Sequence, residues 1–283
     1  MTVDKLIIGC GYVGRRVAAA WLAEGAQVAA LTRSTERAEQ WRSEGLQPLI
    51  GDITSSDTLE LPAAETVLVA VGYDRRSKVS MQTTYVDGLA NVLAAIPSVR
   101  RVVYISSTGV YGQTDDEWVD ETSPCEPTRE GGQACLAAEQ LLPASPCGDR
   151  YVILRLAGIY GPGRVPAADQ AASRLDLNPT GYLNLIHVND AVQAVLQAES
   201  YGPLPDTFIV SDGHPVRRAD YYRKVVELFA APGTSLRPTA STPGRSRPGG
   251  SKRLDNRRLL TKLRVTLRYP TYAEGLAAIA AGC

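Results

Sequence analysis

No sign of charge dominates this chain. Thirty basic and thirty acidic residues cancel to a formal net charge of zero, which removes the electrostatic case for nucleic acid or an anionic membrane surface as a partner. Histidine is scarce, with two residues in 283, and the five cysteines (Cys10, Cys125, Cys135, Cys147, Cys283) show no CxxC spacing and no His-rich neighbourhood. Neither a disulfide framework nor a metal site is therefore expected. Long apolar runs are missing too, since no window reaches the eighteen residues that a membrane span needs. The N-terminal VDKLIIGCG enters a strand pattern without a basic n-region and a long apolar h-region. The expectation is a chain that is neither exported nor membrane-spanning, in a reducing cytoplasm. What remains is a small-molecule substrate as the default partner, with the oligomeric state left open.

What the chain does have is alternation. Short strand-like runs at Lys5–Ile8, Gln27–Thr32, Gln47–Ile50, Thr66–Val71, Arg101–Ser106 and Tyr151–Leu156 are separated mostly by amphipathic segments. That pattern predicts βαβ units and a doubly wound parallel sheet, an α/β fold. After Leu177 it loosens to a helix near Asp190–Glu199, a strand at Thr207–Val210 and a helix at Asp220–Phe229. The expected division is a dinucleotide-binding part over residues 1–160 and a smaller, contiguous substrate-binding part over 161–283, closing a cleft at the carboxyl edge of the sheet. The stretch APGTSLRPTASTPGRSRPGGSKR reads as a mobile loop. Nine basic residues against the single acid Asp255 between Arg245 and Arg268 would suit a phosphate-bearing substrate or simply form a solvated basic face.

The first strand runs directly into GCGYVG, with Gly9, Gly11 and Gly14 at GxGxxG spacing and a helical segment starting at Tyr12. Glycines there permit a tight turn, close approach of backbone to a pyrophosphate and close helix packing, while the helix N-terminus offers N–H donors. Gly9, Gly11, Tyr12, Val13 and Gly14 are the expected pyrophosphate turn. About twenty residues on, a carboxylate would hold the 2′-hydroxyl of NAD and an arginine the 2′-phosphate of NADP. The chain has LTRSTER there, with Arg33, Ser34 and Arg37 and no acid before Glu36. NADP is the expected cofactor, with NAD an alternative. Asp52 and Ile53 in GDI follow the third strand and are placed beside the adenine, though Asp52 suits a turn or a helix cap equally well.

In order along the chain, GCGYVG, GDI, YISSTGVYG (Tyr104–Gly112), LRLAGIYGPGR (Leu154–Arg164), NLIHVNDAV (Asn184–Val192) and YPTYAEGL near the C-terminus resemble the extended short-chain dehydrogenase/reductase family, which includes nucleotide-sugar epimerases and dehydratases. The resemblance implies a Rossmann domain carrying NAD(P), a smaller C-terminal substrate domain, and catalysis by a Ser/Thr with a Tyr-x-x-x-Lys pair. Ser107 takes the serine position. Aligned on Leu136–Gln140, the tyrosine and lysine positions fall on Gly131 and Cys135, and none of the five lysines (Lys5, Lys78, Lys224, Lys252, Lys262) has a tyrosine four residues before it. In the family that spacing puts the two side chains on one helix face, where the tyrosine exchanges a proton and the lysine holds the nicotinamide ribose. The chain thus resembles the atypical branches, which keep the dinucleotide fold without the pair.

Other residues then become candidates. Ser107 and Thr108 follow the fifth strand, where α/β sheets bind ligands, or else bond to their own turn. Ser107 and Tyr111 are the candidate proton-handling groups, Tyr111 having packing as its alternative. Thr108, Arg164 in GPGR and His187 in LIHVNDAV are candidate substrate contacts, Arg164 for an anionic group, with plain surface or core roles as the competing interpretation. Asp190 is expected to cap the following helix. Two functions stand open: an NADP-dependent oxidoreductase or epimerase/dehydratase-like enzyme acting on a small, anionic or nucleotide-sugar-like substrate, and a catalytically silent NADP(H)-binding sensor.

Overall fold

The computed structural model describes residues 2–56, 59–97, 99–168, 171, 179–229 and 251–282. Most of the loop expected over residues 231–253 lies outside them. Seven strands form one sheet: β1 (Thr2–Ile8), β2 (Val28–Thr32), β3 (Gln47–Ile50), β4 (Ala63–Val69), β5 (Val99–Ser107), β7 (Tyr151–Leu156) and β11 (Asp206–Val210), in the order β11-β7-β5-β4-β1-β2-β3. The pairings β1–β2, β1–β4, β2–β3 and β4–β5 are parallel. Ile8, the last residue of β1, is level with Leu31 on one side and Val69 on the other. The chain first builds outward through β2 and β3, then returns to the other flank of β1. That reversal creates the topological switch point at the β1–β4 seam where open α/β sheets bind ligands.

Strand runs such as KLII and TVLV are buried almost throughout, as a sheet covered on both faces requires. Helices α1 (Gly14–Ala23), α2 (Thr35–Ser43), α3 (Gly88–Ala95) and α4 (Glu130–Glu139) follow. Helix α1 presents Val17, Ala18 and Trp21 to the core. Between β4 and α3 the chain passes through a π-helical turn, Thr83–Asp87.

The chain divides into two compact units. The first comprises Met1–Val110, Cys125–Arg155 and Val192–Phe208; the second comprises Tyr111–Pro124, Leu156–Ala191 and Ile209–Cys283. In the first, Leu6, Ile8, Val67, Val92, Val102 and Ile153 belong to the principal apolar core. Glu199, from the helix Val188–Ser200, accepts from the indole of Trp21 at 2.9 Å and pairs with Lys5 of β1. The second unit has its own core around Tyr160, Leu185, Tyr221, Val225 and Leu276. Its short strand pairs are β8 (Gly158–Tyr160) with β10 (Leu185–His187), β9 (Tyr182–Leu183) with β12 (Val216–Arg217), and β6 (Glu117–Val119) with β13 (Lys252–Leu254). Asp190 accepts from the backbone N–H groups of Arg268 at 2.6 Å and Tyr269 at 3.1 Å, tying the C-terminal segment to that unit. Among the described residues no helix is long and apolar enough to cross a membrane.

Candidate dinucleotide site

The glycine turn has the shape its spacing predicts. Gly9 adopts φ +93°, and a methyl group there would come within 2.5 Å of the Ala70 carbonyl. The turn therefore lies flat against the chain leaving β4. A methyl on Gly14 would meet the Gly9 carbonyl oxygen at 2.5 Å, so the start of α1 sits hard on the turn. Gly11 differs, with nothing within 4 Å of the place where its side chain would begin. That open space beside a helix N-terminus is what close backbone approach to a pyrophosphate needs. Val13 is buried, while the carbonyl of Tyr12 accepts from Arg16 Nη1 at 2.8 Å and its ring lies 4.2 Å from that guanidinium.

Past the end of β2, Ser34 caps α2, its hydroxyl accepting from Arg37 N–H at 3.1 Å. Arg33 and Arg37 are both exposed at the positive end of that helix. Asp52 closes its own turn by accepting from the Thr54 N–H at 2.9 Å and hydroxyl at 2.8 Å, and Arg33 Nη1 lies 3.6 Å from its other oxygen. Burial alone would raise the Asp52 pKa; the Thr54 hydrogen bonds and the Arg33 charge outweigh it and hold the carboxyl below its ordinary value. Ile53 is half-buried, and its carbonyl accepts from Asn91 Nδ2 at 2.8 Å. All ten residues expected to hold the cofactor thus belong to one unit, at the carboxyl ends of β1, β2 and β3. This cradle fits a nicotinamide dinucleotide.

Ser107, also in the first unit, ends β5, and its hydroxyl accepts from Gly109 N–H at 3.0 Å. Thr108 opens the following 3₁₀ turn and is half-buried. Across from that turn runs α4. A methyl on Gly132 would overlap the Gly109 carbonyl and come within 2.8 Å of Pro127, so only glycine lets the helix lie this close. Gly131 faces only the sulfur of Met81, 3.4 Å from where its side chain would begin. Cys135 is buried, and burial raises its thiol pKa to about 11, the Glu139 charge adding to the effect. A neutral thiol at this depth is no nucleophile.

The remaining candidates lie in the second unit. Tyr111 is 2 % exposed and its carbonyl accepts from Lys252 Nζ at 2.6 Å. Arg164 is exposed in a tight turn closed by the Gly161–Arg164 bridge. His187 is 1 % exposed, packed between Tyr160 and Tyr269 at ring separations of 5.2 and 4.0 Å, its Nδ1 accepting from Asn189 N–H.

Two arrangements were not anticipated from the sequence. In the first unit, Arg155 donates to Glu139 through Nε and Nη2, and Ser106 donates to the same carboxylate. The signal was an arginine inside the otherwise apolar strand YVILRL, which needs a buried anion. In the second, Arg253 lies over the rings of Trp118 and Tyr182, and Arg217 over Tyr182 at 4.0 Å while paired to Asp116 at 2.8 Å. Nothing periodic in the sequence marks that stack.

Residues 6–210 match the model of the NAD dependent epimerase/dehydratase family. Protein YeeZ of Escherichia coli (strain K12) is 27% identical over 274 residues, covering 93% of this chain and 95% of its own. A solved structure from Methylobacillus flagellatus, assigned to the NAD-dependent epimerase/dehydratases, is 32% identical with a TM-score of 0.77, covering 99% of this chain and 98% of that one. MoeE5, solved in complex with UDP-glucose and NAD, is 26% identical with a TM-score of 0.75, covering 98% of this chain and 97% of that one.

Proposed function

The chain belongs to the NAD dependent epimerase/dehydratase family, and from that premise we propose that it binds NADP(H), with NAD(H) the weaker ligand, and carries out an oxidoreductase or epimerase/dehydratase-like reaction in the cytoplasm. The observation that carries the proposal is the open, glycine-lined turn at the β1–β4 switch point with Arg33 and Arg37 exposed beside it. The Arg33–Asp52 pair at 3.6 Å does not forbid a 2′-phosphate. A loose, exposed pair is worth about 0–1 kcal/mol, less than the roughly 1.5–3 kcal/mol of charge-assisted hydrogen bonding a phosphate offers. Arg33 would exchange partners.

The nicotinamide would supply hydride transfer; the chain's residues would bind, orient and handle the proton. Ser107 keeps its own hydroxyl proton to donate while it accepts from Gly109, and we assign proton handling to Ser107 and Tyr111, with Thr108 beside Ser107 as a substrate contact. Residues 161–283 would contribute Arg164 for an anionic group, and His187 from within its aromatic packing. A small, anionic or nucleotide-sugar-like substrate is the class this supports, as the UDP-glucose bound to MoeE5 suggests.

A second proposal, a silent NADP(H)-binding protein, draws on α4, where the positions of the family's acid and cation are Gly131 and the buried, neutral Cys135. Incubating the protein with NADPH deuterated at C4 and a panel of ketones and sugar nucleotides separates the two. Deuterium transferred to a product supports the enzyme. Saturable NADPH binding with no transfer to any of them supports the sensor.

A further inference from the structure

The gap on α4 is filled from a distant part of the chain. Met81 lies against Gly131, and Tyr85, four residues later, lies on the turn that packs against α4. The spacing of the two missing side chains, four residues, is thus repeated on the neighbouring segment. Tyr85 sits in the π-helical turn Thr83–Asp87, a rare backbone form that concentrates at functional sites. Its hydroxyl accepts from Tyr73 N–H at 3.0 Å. A phenol has a proton to donate as well as lone pairs to offer, and among the described residues none accepts from Tyr85.

Position gives that spare donor a use. Tyr85 lines a crevice with Ile8, Ile53, Val69, Val71 and Tyr104. Ile8 and Val69 are the paired last residues of β1 and β4, and both are buried with Tyr104 in the core against which Tyr85 packs, so Tyr85 stands beside the switch point. A dinucleotide lies across such a point. If its adenosine end is held on the β2–β3 side by Arg33 and Asp52, its other half must extend over β4 and β5. Gly9 touches the Ala70–Val71 backbone there, Tyr73 follows two residues later, and Tyr85 holds Tyr73 from the turn packed against α4.

We infer that Tyr85 is a cofactor-positioning residue, its phenolic O–H donating a hydrogen bond to a hydroxyl of the ribose on the nicotinamide side of the dinucleotide. The inference rests on the dinucleotide site proposed above. It assigns to a residue of the β4–α3 connection an anchoring role that α4, with cysteine at position 135, cannot perform.

The test is calorimetric titration of the full chain and of Tyr85→Phe with two probes, NADPH and adenosine 2′,5′-bisphosphate, which lacks the nicotinamide half. The variant is expected to bind NADPH about tenfold more weakly and the bisphosphate as the parent does, which also shows that it is folded. Unchanged NADPH affinity overturns the inference alone. Equal weakening of both probes overturns it as well, because Tyr85 would then act only by holding Tyr73. Failure of the parent to bind NADPH removes the underlying dinucleotide site, and the inference with it.

Discussion

Arg155 Nη2 lies 2.7 Å from Glu139 Oε2, and both side chains are buried within the first unit. The pair joins β7 to α4, and Ser106 of β5 completes it with a hydroxyl 2.5 Å from Oε1. Removing one partner leaves a buried charge uncompensated, at about 3–5 kcal/mol. Glu139→Gln is expected to lose stability on that scale in urea denaturation. The double variant Glu139→Leu with Arg155→Met should recover much of the loss; a double variant as unstable as the sum of the singles would contradict this account.

The two glycines of α4 should respond oppositely. Gly132→Ala forces a methyl into the Gly109 carbonyl and is expected to cost about 1–3 kcal/mol or more. Gly131→Ala meets only Met81 at ordinary contact distance, and helix propensity favours alanine by up to about 1 kcal/mol. Thermal melts of the two variants check the contrast.

A titration built into the second unit predicts a pH dependence. Asp212 is 2 % exposed, and its Oδ1 accepts from the His214 N–H at 3.0 Å. Burial pushes its pKa up from 3.8 to about 7, against the opposing His214 and Tyr272 backbone hydrogen bonds and the His214 charge, with Asp190 adding to the rise. Between about pH 4 and 7 the folded protein keeps this proton while the unfolded chain releases it. Stability should therefore fall as pH rises through that window, by a few kcal/mol at most from this group, and level off above it. Asp212→Asn should flatten the slope and melt higher than the parent at pH 8. An identical slope in the variant would show that Asp212 is not its source.

Much of this was legible in advance, and the exceptions share a cause. The strand runs announced themselves because a covered parallel sheet needs continuous apolar segments. The glycine turn was legible because its three glycines answer three local steric demands. The end of β4 falls two residues earlier than the apolar run suggests, where the Ala70–Val71 backbone packs against Gly9 of the glycine turn. Helix α4 begins at Glu130, so both glycines are inside it despite their poor propensity; packing against Gly109, more than twenty residues away, outweighs the local preference. The packing of Met81 and the turn after it against α4 was not readable, because Gly131 is fifty residues from Met81 and no periodicity encodes such a contact.

Proton handling is tested by single-atom changes once a turnover assay exists. Tyr111→Phe keeps the ring and its packing and deletes only the hydroxyl, and Ser107→Ala removes the other candidate. A general acid contributes roughly a hundred- to ten-thousandfold, so at least one variant should lose activity on that scale while still binding NADPH. Full activity in both would exclude this pair as the proton-transfer site.

The most direct test of the central claim, a dinucleotide held with its 2′-phosphate against Arg33, is a titration of the parent and Arg33→Ala with NADPH and NADH. The parent is expected to bind NADPH more tightly, and the variant to lose about ten- to a hundredfold of that affinity with NADH binding nearly unchanged. Equal affinities of the parent for the two cofactors, or an Arg33→Ala variant that binds NADPH as the parent does, would contradict it.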